Sequence, residues 1–121
     1  MTFDVEVVLK GRDYAVTEPA TVEHGAPSSW DDNAVRDVLI ETLRAIARAE
    51  NPTGGTDRRV ALRGFSWIVE PAENNQVVIA IEIPMGAAIA GPFAIGQTQL
   101  DGMISRVLRA EAPDHIKQTI H

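Results

Sequence analysis

The sequence predicts an α+β domain: a two-layer sandwich in which two helices cover one face of an antiparallel sheet. Three observations lead there. Residues 2–10 and 76–85 alternate apolar and polar side chains with the period of a half-buried strand. Residues 28–50 and 98–112 carry apolar side chains at helical spacing. A chain of 121 residues, 45% hydrophobic and 23% charged, has the size and composition of one ordered core, so residues 1–121 are read as a single domain.

The first strand takes its inward side from Phe3, Val5, Val7 and Leu9, with Asp4, Glu6 and Lys10 opposite. Val8 is the one apolar residue on the polar side. Gly11, Arg12 and Asp13 supply turn chemistry. In residues 14–23, Tyr14 and Val16 suit pairing back on the first strand, while Pro19 removes a donor, so this stretch is an edge strand or an irregular arm.

The helix of residues 28–50 is the clearest element. Ser29 and Asp32 are spaced as a capping pair, and Asp31 and Asp32 favour the positive end of the helix dipole. Val35, Val38, Leu39, Leu43 and Ile46 form the apolar stripe. Pro52 ends the helix, because the residue before a proline avoids the helical conformation.

A strand is expected over residues 58–70. Its apolar parity changes between Val60/Leu62 and Phe65/Trp67/Val69, which suggests a bulge at Gly64. Residues 71–75 form a turn in which Asn74 and Asn75 tolerate left-handed geometry. Val77, Ile79, Ile81, Ile83 and Met85 then alternate along the second arm of a hairpin.

Residues 83–100 contain no charge. Three glycines, two prolines and the polar run at Gln97, Thr98 and Gln99 exclude a membrane span. Residues 86–96 are therefore read as an apolar crossover loop. Leu100, Met103, Ile104, Val107 and Leu108 mark the second helix. If Ile116 and Ile120 add a last strand, the order becomes the βαββαβ pattern of a ferredoxin-like sandwich with an extra N-terminal arm. Otherwise the order is ββαββα.

Composition narrows the function classes. The absence of cysteine excludes disulfides, thiolate metal sites and cysteine nucleophiles, and suits a cytoplasmic setting. No basic region followed by an apolar run opens the chain, so no signal peptide is expected. A net charge of −6 gives no drive to displace counterions from nucleic acid, and no membrane partner is expected either.

Several groups of residue types invite chemistry. His24, Ser28, Ser29, Asp31 and Asp32 hold the components of a nucleophilic triad or a metal site, but helix capping already accounts for most of them. Asp114, His115 and His121 form a second histidine–carboxylate group, and no metal or other cofactor is expected from either set. Residues 51–59 resemble a phosphate cradle but lack its lysine and its strand-to-helix context. Arg58, Arg59 and Arg63 read better as charges protecting an edge.

The apolar segment 86–96 is the least ordinary feature. Ile89, Phe93 and Ile95 either fold back on the core or make a contact surface. The expected function is a non-catalytic interaction domain that self-associates through this segment. Met85, Ile89, Phe93, Ile95, Trp30 and His24 are its candidate interface or pocket residues. The alternatives are a small enzyme or ligand-binding protein with a pocket at the same place, and an acidic antagonist of a basic protein. The expected partners are a second copy of the chain or another protein.

Overall fold

In the computed structural model, which describes residues 1–53 and 60–111, the order is β1 (Thr2–Leu9), β2 (Ala15–Thr21), α1 (Asp32–Glu50), β3 (Ser66–Pro71), β4 (Val77–Ile83), β5 (Gly86–Phe93) and α2 (Gln97–Glu111). The five strands form one antiparallel sheet in the order β2-β1-β5-β4-β3. The α+β class holds. The described order is ββαβββα, which is neither the ferredoxin-like βαββαβ nor ββαββα. The difference is β5. The expected tail strand, with Ile116 and Ile120, falls outside the described residues.

β5 corrects the reading of residues 86–96 as a loop. It lies at the sheet centre, between β1 and β4. Its glycines and proline act here as fitting pieces. Gly86 pairs with Leu9 on one side and Ile83 on the other, and a Cβ there would stand 2.2 Å from the Val8 carbonyl oxygen. Only glycine permits that approach. Further along, Val77 pairs with Phe93 and Ile79 with Ala90, so β5 carries one extra residue at Gly91-Pro92. Gly91 takes a φ of 126° there. The bulge reverses side-chain parity: Ala88 and Ala90 are buried before it, and Phe93 is buried after it.

Phe93 thereby joins the core. Its ring meets Phe3 edge-on at 5.1 Å and Trp30 edge-on at 5.2 Å. Around these rings, Val5, Val7, Ile79, Ile81 and Val69 from the sheet meet Val35, Val38, Leu39, Leu100 and Ile104 from the helices in one cluster. Ile95, just past β5, and Leu62 also lie in it.

β3 begins at Ser66, later than the expected 58; residues 60–65 lie in no strand. Gly64 adopts a φ of 81° and turns the chain ahead of the strand, instead of bulging within it. The β3–β4 hairpin forms as the alternation requires, with Asn74 and Asn75 left-handed in its turn.

α1 starts at Asp32, two residues later than a cap at Ser29 implies. Asp31 is the N-cap, and its carboxylate accepts a 2.9 Å hydrogen bond from the Ala34 backbone N–H. Residues Pro27–Ser29 form a separate single turn of 3₁₀ helix. Trp30 stands just before the cap, buried, and its indole N–H donates to the Gly25 carbonyl oxygen at 3.0 Å. Two ion pairs tie the helices together: Arg106 with Asp32, and Arg36 with Glu111.

The two edges of the sheet differ. β2 carries Pro19, which withholds a backbone donor. At β3 the side-chain amide of Gln97, the first residue of α2, donates to the Val69 carbonyl oxygen at 2.9 Å. This bond satisfies an edge acceptor.

Candidate binding surface on the open sheet face

One face of the sheet is covered by helices; the other is bare among the described residues. The pairing registers place Ile68, Ala80, Ile89 and Glu6 in one row across β3, β4, β5 and β1. The next row holds Ser66, Glu82, Ala87 and Val8. A solvated face of an antiparallel sheet is ordinarily polar. This one is apolar at its centre: Ile68 is 54% exposed, and Ile89 and Val8 are 44% exposed each.

Side-chain size gives this centre a shape. Ala80 lies between the two isoleucines and is too short to fill the space they flank. The result is an open hollow of about 350 Å³ with Ile68 and Ile89 as walls. Ala87, Ser66 and Glu82 also line it.

The electrostatics of the face are one-sided. The five strands contain no Lys, Arg or His. Their open side presents Asp4, Glu6, Glu70 and Glu82, all exposed. Every ion pair among the described residues includes a helix residue, and none includes these four carboxylates. Glu18, the remaining strand carboxylate, faces the helices and pairs with Arg48 at 3.2 Å. Lys10 follows β1 directly, at the end of the sheet.

The residues that the sequence offered as a site separate into two groups. Phe93, Ile95 and Trp30 lie in the core and leave the surface to others. Ile89 and Met85 are exposed, Ile89 on the open face and Met85 in the β4–β5 turn. Ile89 and Phe93 share parity in the sequence, and only the bulge between them sends one outward and the other inward. Ile68, Ala80, Ala87 and Glu82 went unnoticed as site residues. For the three apolar ones the signal was an apolar residue on the polar side of a strand, already visible at Val8.

His24 does not meet the serines or the Asp31–Asp32 pair. Its Nε2 lies 2.8 Å from Asp37 on α1. The Ser29 hydroxyl donates to the Ala26 carbonyl oxygen, Asp31 caps the helix and Asp32 binds Arg106. Among the described residues no group of three His, Asp or Glu side chains could hold a metal ion. Asp114, His115, His121, Arg58 and Arg59 fall outside the described residues.

A larger hollow, about 500 Å³, opens near the start of α1, between Trp30, Asn33, Gln99 and Met103. Its charged groups are already engaged: Arg106 makes bonds of 2.9 and 3.0 Å to Asp32. The hydrogen bond from Arg106 holds the Asp32 carboxyl below its ordinary pKa, and the same bond raises the pKa of Arg106. This is a helix–helix tie with its charged groups paired. The sheet hollow, by contrast, keeps its carboxylates unpaired among the described residues.

No helix among the described residues is long and apolar enough to cross a membrane. Comparison with known protein families, with characterised proteins and with solved structures finds no match to this chain.

Proposed function

We propose that this protein is a non-catalytic interaction domain whose contact surface is the open face of its sheet. The observation that carries this reading is the apolar centre of that face, formed by Ile68, Ala80, Ile89 and Val8 and bordered by carboxylates. An apolar centre within a charged border is the usual anatomy of a protein contact. Ile89 belongs to it and Met85 stands apart in the β4–β5 turn, whereas Phe93, Ile95 and Trp30 are core.

Self-association through residues 86–96 follows less well. A second copy facing the first across this surface would bring the two sets of four carboxylates together, and like charges at an interface repel. A different protein is the better occupant.

The test compares two surface variants of the tagged, full chain. Ile68→Asp with Ile89→Asp alters the open face, and Arg44→Glu alters the exposed side of α1. The proposal expects the first variant alone to lose a specifically co-purifying protein, with the melting temperature unchanged in both. Equal retention by both variants, or loss with the α1 variant alone, contradicts it.

A further inference from the structure

The geometry points to a more specific occupant of this surface: a partner segment that inserts one large apolar side chain into the Ala80 hollow and sets Lys or Arg on either side of it. The inference rests on the reading of the open face as a docking surface and adds the chemistry of the partner.

The hollow has the capacity for such an anchor. At about 350 Å³, open on one side, it exceeds the volume of any single side chain and exposes the short Ala80 at its floor. Anchors of this kind, chiefly aromatic ones, dominate protein contacts when they fill a pocket and exclude water.

Charge then chooses the flanks. Along β4, Glu82 lies two residues beyond Ala80. In the other direction Val78 lies two residues away, paired with Glu70 of β3. Two residues of strand span about 6.8 Å, so Glu82, at the hollow, and Glu70, beside Val78 on the neighbouring strand, stand on either side of Ala80 at about the spacing of alternate residues in an extended chain. Glu6 borders the Ile89 wall, directly across the β5–β1 pairing. An extended segment with cation, anchor and cation at alternate positions matches this arrangement. A second copy does not, because the strands that would meet these carboxylates carry no cation.

The probe is a capped Lys-Ser-Trp-Ser-Lys peptide, titrated into the intact protein while backbone amides are followed by NMR. Two control peptides replace both lysines by glutamate or the tryptophan by serine. The expected result is saturable movement of the Ile68, Ala80 and Ile89 amides with the lysine–tryptophan peptide, and at least about fivefold weaker binding of both controls. Glu70→Gln with Glu82→Gln should weaken binding about threefold or more, since each exposed charge pair contributes modestly. Ala80→Leu, which fills the hollow from a solvent-facing position, should remove it while the melting temperature holds.

Equal binding of the lysine and glutamate peptides at the same amides overturns the basic partner and leaves the docking face standing. If the same amides shift with protein concentration alone, and Ile89→Asp abolishes this, the occupant is a second copy and the inference fails. If no peptide moves these amides at about 10 mM, the inference is overturned at its base. The co-purification comparison then decides separately whether the docking face survives.

Discussion

At Gly86 a missing side chain fixes the position of a whole strand. The Val8 carbonyl oxygen occupies the space a Cβ would need, and it belongs to backbone that cannot swing aside. Gly86→Ala should cost about 2–3 kcal/mol, the range for strain at a special backbone position, and lower the melting temperature by roughly 10 °C. Phe93 makes the opposite kind of contribution, by filling space. Fully buried against Phe3 and Trp30, it should cost about 3–5 kcal/mol on replacement by alanine. Ile89→Ala, four residues away on the open face, should stay within about 0.5 kcal/mol. Thermal melts of the three variants check all of this. A large loss at Ile89 would mean that the open face has a structural role instead of a binding one. These residues also show what could be read in advance. The inward side chains of β1 and β4 were legible because large β-branched and aliphatic residues alternate there. β5 was not, because alanine fits either environment and the bulge at Gly91 reverses parity midway.

Among the elements, α1 was legible as a helix, and its cap was misplaced by two residues. Asp31, not Ser29, accepts the first-turn N–H, because the chain uses Pro27–Ser29 for a turn of its own. Asp31→Ala should therefore cost about 1 kcal/mol, whereas Ser29→Ala should cost less, since its hydroxyl serves only an exposed local carbonyl. Denaturant melts distinguish the two. The tie between α1 and α2 has a pH signature. Arg106 lowers the pKa of Asp32 in the folded chain, so the unfolded chain binds the proton more readily. The tie's contribution is thus complete above the ordinary carboxylate pKa and is lost as pH falls through the lower folded value. NMR titration should place the Asp32 midpoint below 3.8, and Arg106→Gln should move it upward. An unmoved midpoint would show that the pair does not persist in solution. Neither tie could be foreseen from the sequence, since Asp32 and Arg106 lie 74 residues apart and meet only through the packing of the helices.

Over the whole molecule, charge is sorted by layer. The cations of the described ion pairs lie chiefly on the helices, where they answer nearby carboxylates. Among the described residues, the open sheet face keeps its carboxylates without such answers around an apolar centre. The net charge of −6 was legible from composition; its separation into a largely paired helical layer and a sheet face without ion pairs among the described residues was not. That separation depends on strand parity and on the pairing of distant strands. It also predicts that association at the open face weakens as salt rises from low to physiological ionic strength, because exposed charges are screened over about 10 Å. A contact insensitive to salt would locate the attraction in the apolar centre alone.

Site-specific photo-crosslinking tests most directly whether a partner sits on the open face. A photoreactive residue placed at Ile89 on the bare face, or at Arg44 on the exposed side of α1, reports what lies against each layer in the cell. The predicted result is one discrete crosslinked protein from Ile89, reproduced from Ile68, suppressed by Ala80→Leu and absent from Arg44. The same adduct from Arg44, or none from either sheet position, would contradict it.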